Sequence, residues 1–456
     1  MGILRRQWLV IVIVVLAIIL AVLVYASWPT NTRVVASTLK QDAALIERGR
    51  YVAAAGDCAA CHTAPDGWPF SGGLAIASPL GAIYSSNITP DTDTGIGDYS
   101  LNDFDRAVRR GIKRDDTTMY PAMPYPSYAR MTDEDIVALY AYFMRGVHPV
   151  HAENHANEIP WPLSIRWPLA IWRKVLAPSA NSPPFDPSRY PDPVVARGAY
   201  LVQGPGHCGS CHTPRAATLQ EKSLDDRGRS KSAASYLAGG QVIDGWVAVN
   251  LRGNAADGLG NWTVEDIVKT LRSARNAGHA VVGTPMSDAV VHGTQNLTDA
   301  DLDAIARYLK TLPPTAREKS TYAADPQTAQ ALKTGREINR GAQLYIDNCS
   351  ACHRTNGEGD KGVFPTIAGN STVLGDDAST VVHLILKGSS LPPTNTAPSA
   401  LGMPGVGWRL SDEEVAQLAS FIRASWGNHA SAVSAAQVRT IRASLPERPP
   451  PKDDPA

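Results

Sequence analysis

Cys58-Ala-Ala-Cys61-His62 is the stretch of sequence that decides how this chain folds and what it binds. The same C-x-x-C-H pattern returns as Cys208-Gly-Ser-Cys211-His212 and as Cys349-Ser-Ala-Cys352-His353, and the three copies use all six cysteines. On a helical turn, positions i, i+3 and i+4 share one face. Two thiols can then reach the vinyl groups of one porphyrin while the imidazole reaches its iron. The pattern is the attachment signal for haem c, so three copies predict three covalently bound haem c groups.

Disulfides and zinc are the two other common uses of paired cysteines. A disulfide framework is typical of small secreted domains rather than of a chain of 456 residues. Zinc usually takes a second ligand pair at modest spacing, whereas these pairs are far apart in the sequence. Neither use explains why a histidine directly follows each second cysteine.

The length of the chain suggests about three domains. Its 43 basic and 43 acidic residues balance, and no long run of one charge is present. The composition therefore gives no reason to expect a nucleic-acid partner.

The N-terminal segment from Trp8 to Trp28 is almost wholly apolar and follows Arg5-Arg6. About 20 apolar residues suffice to span a bilayer, and the arginines favour a cytoplasmic N-terminus. The alternative is a cleaved signal peptide, for which Val24-Tyr25-Ala26 is an acceptable cleavage sequence. The apolar run is longer than a usual signal core, so we favour a permanent anchor. Either segment exports the chain, which predicts a location on the periplasmic side of the inner membrane.

The rest of the sequence is an internal triplicate. Each copy opens with a short helix that leads into its C-x-x-C-H motif, at Glu47–Tyr51, Ala196–Tyr200 and Asn339–Gln343. Each closes with a helix whose predicted N-cap (Thr132, Thr298 or Ser411) is followed three residues later by an acid. A middle helix is predicted at Leu101–Arg110, Thr263–Ala274 and Ser379–Leu386.

These elements predict a mainly α protein with three tandem class I cytochrome c-like domains behind an N-terminal transmembrane helix. The predicted segments are an anchor or signal at 1–35, domains at 36–148, 191–313 and 334–430, linkers at 149–190 and 314–333, and a C-terminal tail at 431–456. The last stretch, Leu445 to Ala456, is rich in proline and charge and is expected to be disordered.

Each haem iron needs a sixth ligand or an open position. Met286 and Met403 are the sole methionines of their repeats, and each lies beside a proline between the middle and closing helices. Met123 occupies the corresponding place in the first repeat, with Met119 as its nearest rival. We therefore predict His62, His212 and His353 as one set of axial ligands and Met123, Met286 and Met403 as the other. Met131 and Met144 lie in or beside the first closing helix and are predicted to be core residues.

Several other side chains are candidates for metal binding, for axial ligation or for contact with a porphyrin. His148, His151 and His155 lie past the closing helix, where a polar linker is a simpler explanation than a metal site. His279 and His292 flank Met286 and are alternative axial ligands. Three tryptophans could pack on porphyrin faces or in cores, and their spacing does not separate the two: Trp246, Trp262 and Trp408.

The chain resembles the three-haem cytochrome c subunits of bacterial membrane-bound dehydrogenases that act on alcohols, gluconate or aldehydes. The resemblance covers about residues 40 to 430 and is carried by these stretches: Gly56-Asp-Cys-Ala-Ala-Cys-His-Thr, Ser86-Asn-Ile-Thr-Pro-Asp-Thr-Asp-Thr-Gly-Ile-Gly, Tyr120-Pro-Ala-Met-Pro-Tyr-Pro-Ser-Tyr, Gly206-His-Cys-Gly-Ser-Cys-His-Thr-Pro-Arg and Gly402-Met-Pro-Gly-Val-Gly-Trp-Arg-Leu-Ser. It implies an electron-transfer subunit without catalytic activity of its own. Electrons would come from a periplasmic catalytic subunit of the PQQ, flavin or molybdenum type. They would leave to ubiquinone or another respiratory acceptor. The family motifs place the axial methionines at the three positions already named.

One departure concerns the N-terminus, because many members of the family begin with a cleavable signal. Similar cytochromes with an N-terminal anchor serve molybdenum hydroxylases that oxidise aldehydes or N-heterocycles, which is one alternative function. A second alternative is a self-contained multihaem oxidoreductase with one haem left open.

Overall fold

The computed structural model describes residues 2–28, 35, 42–179, 182, 185–190, 192–226, 233–276, 279–316, 322–336, 338–360 and 363–445. It confirms the mainly helical fold, with short two-stranded hairpins between the helices. The chain divides into two compact units, Met1–Pro187 with Gln203–His207 and Ser188–Val202 with Cys208–Ala456. The predicted disordered tail, apart from Leu445, lies outside the described residues.

The first helix, α1 (Gly2–Ser27), contains a stretch of 21 residues, Arg6–Ala26, that is long and apolar enough to cross a membrane. Within the described residues no other helix has this length and hydropathy. Most of its large apolar side chains from Trp8 to Tyr25 are exposed. An exposed apolar helix of this length suits a lipid environment better than water.

The first repeat is built from helices around a core that includes Phe104, Ile136 and Phe143. Thr132 caps the closing helix as predicted, since its side chain accepts a hydrogen bond from the N–H of Asp135. The elements are α2 (Ala43–Ala55), α3 (Cys58–His62), β1 (Ala75–Ile76), β2 (Ile83–Tyr84), α4 (Leu101–Arg110), α5 (Tyr125–Tyr128) and α6 (Asp133–Arg145).

The linker after the first repeat contains a helix that the sequence analysis did not predict, α7 (Trp167–Leu176). The stretch before it packs along the first repeat. The side chain of Asn154 accepts from the N–H of Asn87, and the side chain of Asn157 accepts from the N–H of Tyr84, both at 2.8 Å. This part of the linker is therefore bound to the first repeat rather than a free connection.

The second repeat has the same order of helices. Thr263 caps its middle helix and Thr298 its closing helix through hydrogen bonds from N–H groups three residues later. Its elements are α8 (Pro193–Gln203), α9 (Gly209–His212), β3 (Val242–Ile243), β4 (Trp246–Val247), α10 (Val264–Ser273), β5 (Arg275–Asn276), β6 (Ala280–Val281), α11 (Met286–Asp288) and α12 (Asp299–Lys310). Short 3₁₀ turns lie at Pro187–Arg189, Ala233–Ser235 and Thr294–Asn296, with a π turn at Ala289–Gly293.

The third repeat begins and ends with a helix that was not predicted. It consists of α13 (Gln327–Thr334), α14 (Arg340–Asn348), α15 (Ser350–His353), α16 (Ser371–Leu374), α17 (Ser379–Lys387), β7 (Gly388–Leu391), β8 (Leu401–Pro404), α18 (Asp412–Ala424) and α19 (Ala435–Ser444). The first and last of these helices were not predicted because α13 lies in the predicted linker 314–333 and α19 in the predicted tail. Val438 of α19 is fully buried in the same core as Leu418 and Tyr345. The stretch predicted as a tail therefore contributes to the core of this repeat.

In every repeat a glycine of the first helix lies against the backbone of the closing helix. A methyl group added at Gly49 would lie 2.0 Å from the carbonyl oxygen of Ala138, and one added at Gly198 would lie 1.9 Å from that of Ala304. A methyl group added at Gly341 would lie 2.5 Å from the carbonyl oxygen of Gln417. Real Cβ atoms do not approach so closely, so only glycine permits this crossing of the two helices.

The arginine before each glycine pairs with the acid three residues after the N-cap of the closing helix. The pairs are Arg48 with Asp135 at 2.8 Å, Arg197 with Asp301 at 2.7 Å, and Arg340 with Glu414 at 2.6 Å. These arginines are partly exposed, and exposed pairs contribute only about 0–1 kcal/mol each. Their recurrence indicates a role in the register of the crossing.

The second and third repeats share an apolar cluster. Leu391 of β7 is buried with Ala274 and Val290 of the second repeat, and Met286 and Leu401 pack against them. Nearby, the ring of Trp246 lies over the ring of His383, with centroids 4.7 Å apart. The β7–β8 hairpin of the third repeat is therefore held on the segment that carries Met286.

Candidate haem-binding sites

The three C-x-x-C-H motifs each form one turn of helix, as the spacing predicts. None of the six cysteines forms a disulfide and all are partly buried, so the structure offers no support for a disulfide framework. Among the described residues no group of three or more His, Cys, Asp or Glu side chains is arranged to hold a metal ion. The helical turn places two thiols and an imidazole at the spacing that the attachment signal for haem c requires.

Each motif histidine is oriented by a backbone carbonyl group. The Nδ1 atom of His62 lies 2.7 Å from the backbone oxygen of Ser86, and that of His212 lies 2.7 Å from the backbone oxygen of Val249. The Nδ1 atom of His353 lies 3.0 Å from the backbone oxygen of Pro365. A carbonyl oxygen can only accept, so Nδ1 must carry the proton and Nε2 keeps its lone pair. This is the tautomer that a proximal haem ligand requires, and a hydrogen bond at the second nitrogen is the usual means of fixing it.

Burial supports the same protonation state. It lowers the pKa of His62, His212 and His353, while the hydrogen bond to the carbonyl opposes this in part. A neutral imidazole is the form that binds iron. The residues present therefore fit a haem c group at all three motifs.

The first thiol of each motif is held in its protonated form. Burial raises the pKa of Cys58, Cys208 and Cys349 to about 12 in each case, and the second thiol of the motif adds to the effect. Arg409 opposes it at Cys349. Buried, protonated thiols are poor nucleophiles and weak metal ligands.

A buried asparagine stabilises the carbonyl-bearing loop in the first two repeats. The side-chain oxygen of Asn87 accepts from the N–H of Thr89, and that of Asn250 accepts from the N–H of Arg252, both at 2.9 Å. Each asparagine directly follows the residue whose carbonyl faces the motif histidine. The first loop belongs to one of the stretches that carry the family resemblance, whereas its counterpart at Asn250 was not predicted. Aligning Asn87-Ile-Thr with Asn250-Leu-Arg would have found it.

The proposed axial methionines occupy three different settings. Met123 packs on the apolar core of the first repeat, as Cys58 does. Met286 packs in the cluster with Leu391, and Met403 is half-buried on β8, paired with Ser389. The structure therefore brings Met123 onto a core shared with a motif cysteine. Met131 is buried and Met144 packs against the same core, as predicted for core residues.

The other candidate histidines and tryptophans have contacts of their own within the protein or are exposed. His279 stacks on Trp262 with centroids 4.7 Å apart, and its Nε2 lies 3.3 Å from a carboxylate oxygen of Asp266. His155 lies against Tyr84 at 5.3 Å between ring centroids. Trp408 is 83% exposed, so it does not pack in a protein core, and its contact with a porphyrin face stays a prediction.

Comparison with known proteins identifies the fold of two repeats directly. The cytochrome c family model matches residues 195–313 and 338–426. These ranges contain the second and third C-x-x-C-H motifs.

Longer matches extend over nearly the whole chain. It is 51% identical to the gluconate 2-dehydrogenase cytochrome c subunit of Pantoea cypripedii, covering 88% of this chain and 90% of that protein. It is 49% identical to the cytochrome c subunit of the alcohol dehydrogenase (quinone) of Gluconobacter oxydans, covering 88% and 83%. It is 40% identical to a subunit of the nicotinate dehydrogenase of Pseudomonas putida over 87% of this chain but only 32% of that protein.

Proposed function

This chain belongs to the family of cytochrome c subunits of membrane-bound dehydrogenases, and from that premise we propose how its three motifs are used. It is an electron-transfer subunit, and catalysis resides in a partner subunit. We propose that it binds three haem c groups through Cys58 and Cys61, Cys208 and Cys211, and Cys349 and Cys352. The observation that carries the proposal is the threefold recurrence of a motif histidine whose Nδ1 faces a backbone carbonyl.

Bound haem c would supply one-electron chemistry, exchanging a single electron between ferric and ferrous iron. The chain contributes His62, His212 and His353 as ligands in a fixed tautomer. Hydrogen bonds to the carbonyls of Ser86 and Val249 hold two of these rings in place, and partial burial limits contact with water. These are the means by which a protein sets the potential of a haem.

Met123, Met286 and Met403 complete the proposed axial sets. A thioether opposite a histidine raises the reduction potential and closes the iron to small molecules. Six-coordinate iron at all three sites suits a carrier of electrons rather than a catalyst.

The proposed donor is a catalytic dehydrogenase subunit on the periplasmic side of the inner membrane. The named relatives point to oxidation of an alcohol or a sugar acid, and an aldehyde is a further substrate class in the proposal. Such a partner would carry PQQ, flavin or molybdenum, and ubiquinone or another respiratory acceptor would receive the electrons. The apolar helix α1 would anchor the subunit to that membrane.

The alternatives are less well supported. A subunit that serves oxidation of an N-heterocycle would match the nicotinate relative. That relative is less similar than the other two, and this chain spans only a third of it. A self-contained oxidoreductase would need one iron without a sixth ligand, whereas each repeat offers a methionine at the corresponding place.

Purification of the tagged full-length chain from gently solubilised membranes tests the function. We expect a catalytic dehydrogenase subunit to co-purify, three haems per chain, and low-spin optical and paramagnetic resonance spectra. A double variant, Cys349→Ser with Cys352→Ser, should retain two haems and provides the control for the count. A chain that purifies alone and has a high-spin haem able to exchange its ligand would contradict the proposal.

A further inference from the structure

The segment between Trp161 and Val175 exposes an unusual amount of apolar surface outside α1. Trp161 is 80% exposed and Val175 is 63% exposed, and Leu163, Ile165 and Trp167 are also exposed. Scattered apolar side chains are normal on a protein surface, but two tryptophans and three aliphatic residues within 15 positions form a patch that needs a partner. We name these five residues the 161–175 surface.

Two other side chains of this segment fix it to the first repeat. The guanidinium of Arg166 lies over the ring of Tyr120, 4.1 Å from its centroid. Trp172 meets Tyr125 edge-to-face at 6.4 Å between centroids. Tyr120 and Tyr125 bracket the Met123 loop, so α7 is a packed element. Its exposed residues cannot turn inward without breaking these contacts.

The same helix is attached to the end of the apolar helix α1. The ammonium group of Lys174 donates to the backbone oxygens of Tyr25, Ala26 and Trp28. The last carbonyl groups of a helix lack partners within the helix, and a cation there also opposes the negative end of the helix dipole. Lys174 therefore acts as a C-cap that holds α7 where α1 ends.

This attachment determines the surroundings of the 161–175 surface. If α1 spans the bilayer, its C-terminal end emerges at the boundary between hydrocarbon and headgroups. Tryptophan is enriched at that depth because it joins an apolar ring to a polar N–H group. Apolar residues on a short helix beside the anchor can enter the same layer.

The charges of the segment favour lipid as well. Residues 159–185 contain Arg166, Arg173 and Lys174 and no acidic residue. Arg173 is buried and Lys174 is bound to the end of α1, so the charge property that bears on the exposed surface is the lack of acidic side chains. An exposed apolar surface without acids is not repelled by anionic headgroups and suits a phospholipid surface.

We infer that the 161–175 surface lies in the headgroup layer of the membrane that α1 crosses, as a second contact with lipid. The inference rests on the proposed anchor function of α1. It adds that the Met123 loop, which α7 covers, is held close to the membrane.

Photo-crosslinking in native membranes tests the inference on the full chain. The variant Trp161→p-benzoylphenylalanine places a light-activated group on the surface. Trp68→p-benzoylphenylalanine is the matched control, because Trp68 is also highly exposed, belongs to the same compact unit and follows an acidic residue, Asp66. Leu16→p-benzoylphenylalanine reports on α1 alone. Adducts are identified by intact mass and by gel mobility.

We expect phospholipid adducts at position 161 at a yield several-fold above that at position 68. No lipid adduct at 161, equal yields at 161 and 68, or a protein adduct at 161 would each overturn the inference, the last by showing that another subunit covers the surface. Position 16 decides the anchor separately. A lipid adduct there confirms α1 as a membrane segment, and its absence rejects the anchor whatever position 161 shows.

Discussion

At the scale of single residues, three histidines far apart in sequence have the same local chemistry. His62, His212 and His353 each direct Nδ1 to a carbonyl oxygen of a following loop. A backbone carbonyl cannot gain or lose a proton in the physiological range, unlike a carboxylate. The carbonyl therefore keeps the proton of the neutral ring on Nδ1, which leaves Nε2 free to act as a metal ligand.

The role of Met286 can be separated from its packing by a substitution of nearly equal volume. Met286→Leu should lower the reduction potential of one haem, because the thioether that raises it is lost, and should leave three covalent haems per chain. A spectroelectrochemical titration measures the three potentials. Met144→Leu, in the first closing helix, should leave all three unchanged. Unaltered potentials in the Met286 variant would mean that Met286 serves only to pack against Leu391 and Leu401.

At the scale of helices, each repeat depends on one close crossing. The crossing needs three local features together: a glycine, the arginine before it, and an acid near the start of the closing helix. The sequence analysis recognised the first helix and the capping stretch as separate motifs. Only the structure shows that Gly341 lies on the backbone of α18 and that Arg340 reaches Glu414.

Substitution of the crossing glycine should destabilise the third repeat. Gly341→Ala places a methyl group 2.5 Å from the carbonyl oxygen of Gln417, so the helices must separate. We expect a loss of about 2–3 kcal/mol, typical of overpacking, in urea unfolding followed by circular dichroism. Gly375→Ala in the same repeat is the control, because its nearest contacts are ordinary ones at 3.4 Å or more. Equal effects of the two substitutions would argue against the crossing.

At the scale of the whole molecule, the second and third repeats belong to one compact unit. The β7–β8 hairpin carries Met403 on one strand and inserts Leu391 among residues of the second repeat. Arg275 of the second repeat also donates to the backbone oxygen of Ser399, between the two strands. The segments that carry two proposed axial ligands are thus held together by direct packing.

Loss of this contact should weaken the unit as a whole. Leu391→Ala removes a side chain that is only 2% exposed and leaves a cavity beside Ala274 and Val290. Large-to-small changes at such sites cost about 2–5 kcal/mol, so a clear fall in the unfolding midpoint is expected. Val363→Ala, at a largely exposed position of the same repeat, should change stability by less than about 0.5 kcal/mol. A small effect at Leu391 would show that the two repeats are held together by other contacts.

Much of the secondary structure was predictable because its causes are local. The middle helix of the first repeat has the predicted limits, Leu101 to Arg110, and that of the second differs by one residue at each end. Their N-caps bond to N–H groups three residues away, and such bonds depend on neighbours in the sequence. Helices α7, α13 and α19 were missed, because each lies in a stretch that its prolines or its position marked as a connection or a tail. Helix α7 is held by the contact of its Trp172 with Tyr125. Helix α19 is held by the burial of its Val438 in the core with Val415 and Leu418.

The sequence by itself determined the chemistry of the three motifs, since two thiols and an imidazole on one helical turn need no other part of the chain to define their spacing. It also determined the helical class and the apolar N-terminal segment. The tertiary structure alone decided which carbonyls face the histidines, which backbone lies under each glycine, and that Lys174 joins α7 to the end of α1. Those contacts join residues that are 12 to 149 positions apart. Whether such residues meet depends on the packing of the whole fold, which no local pattern records.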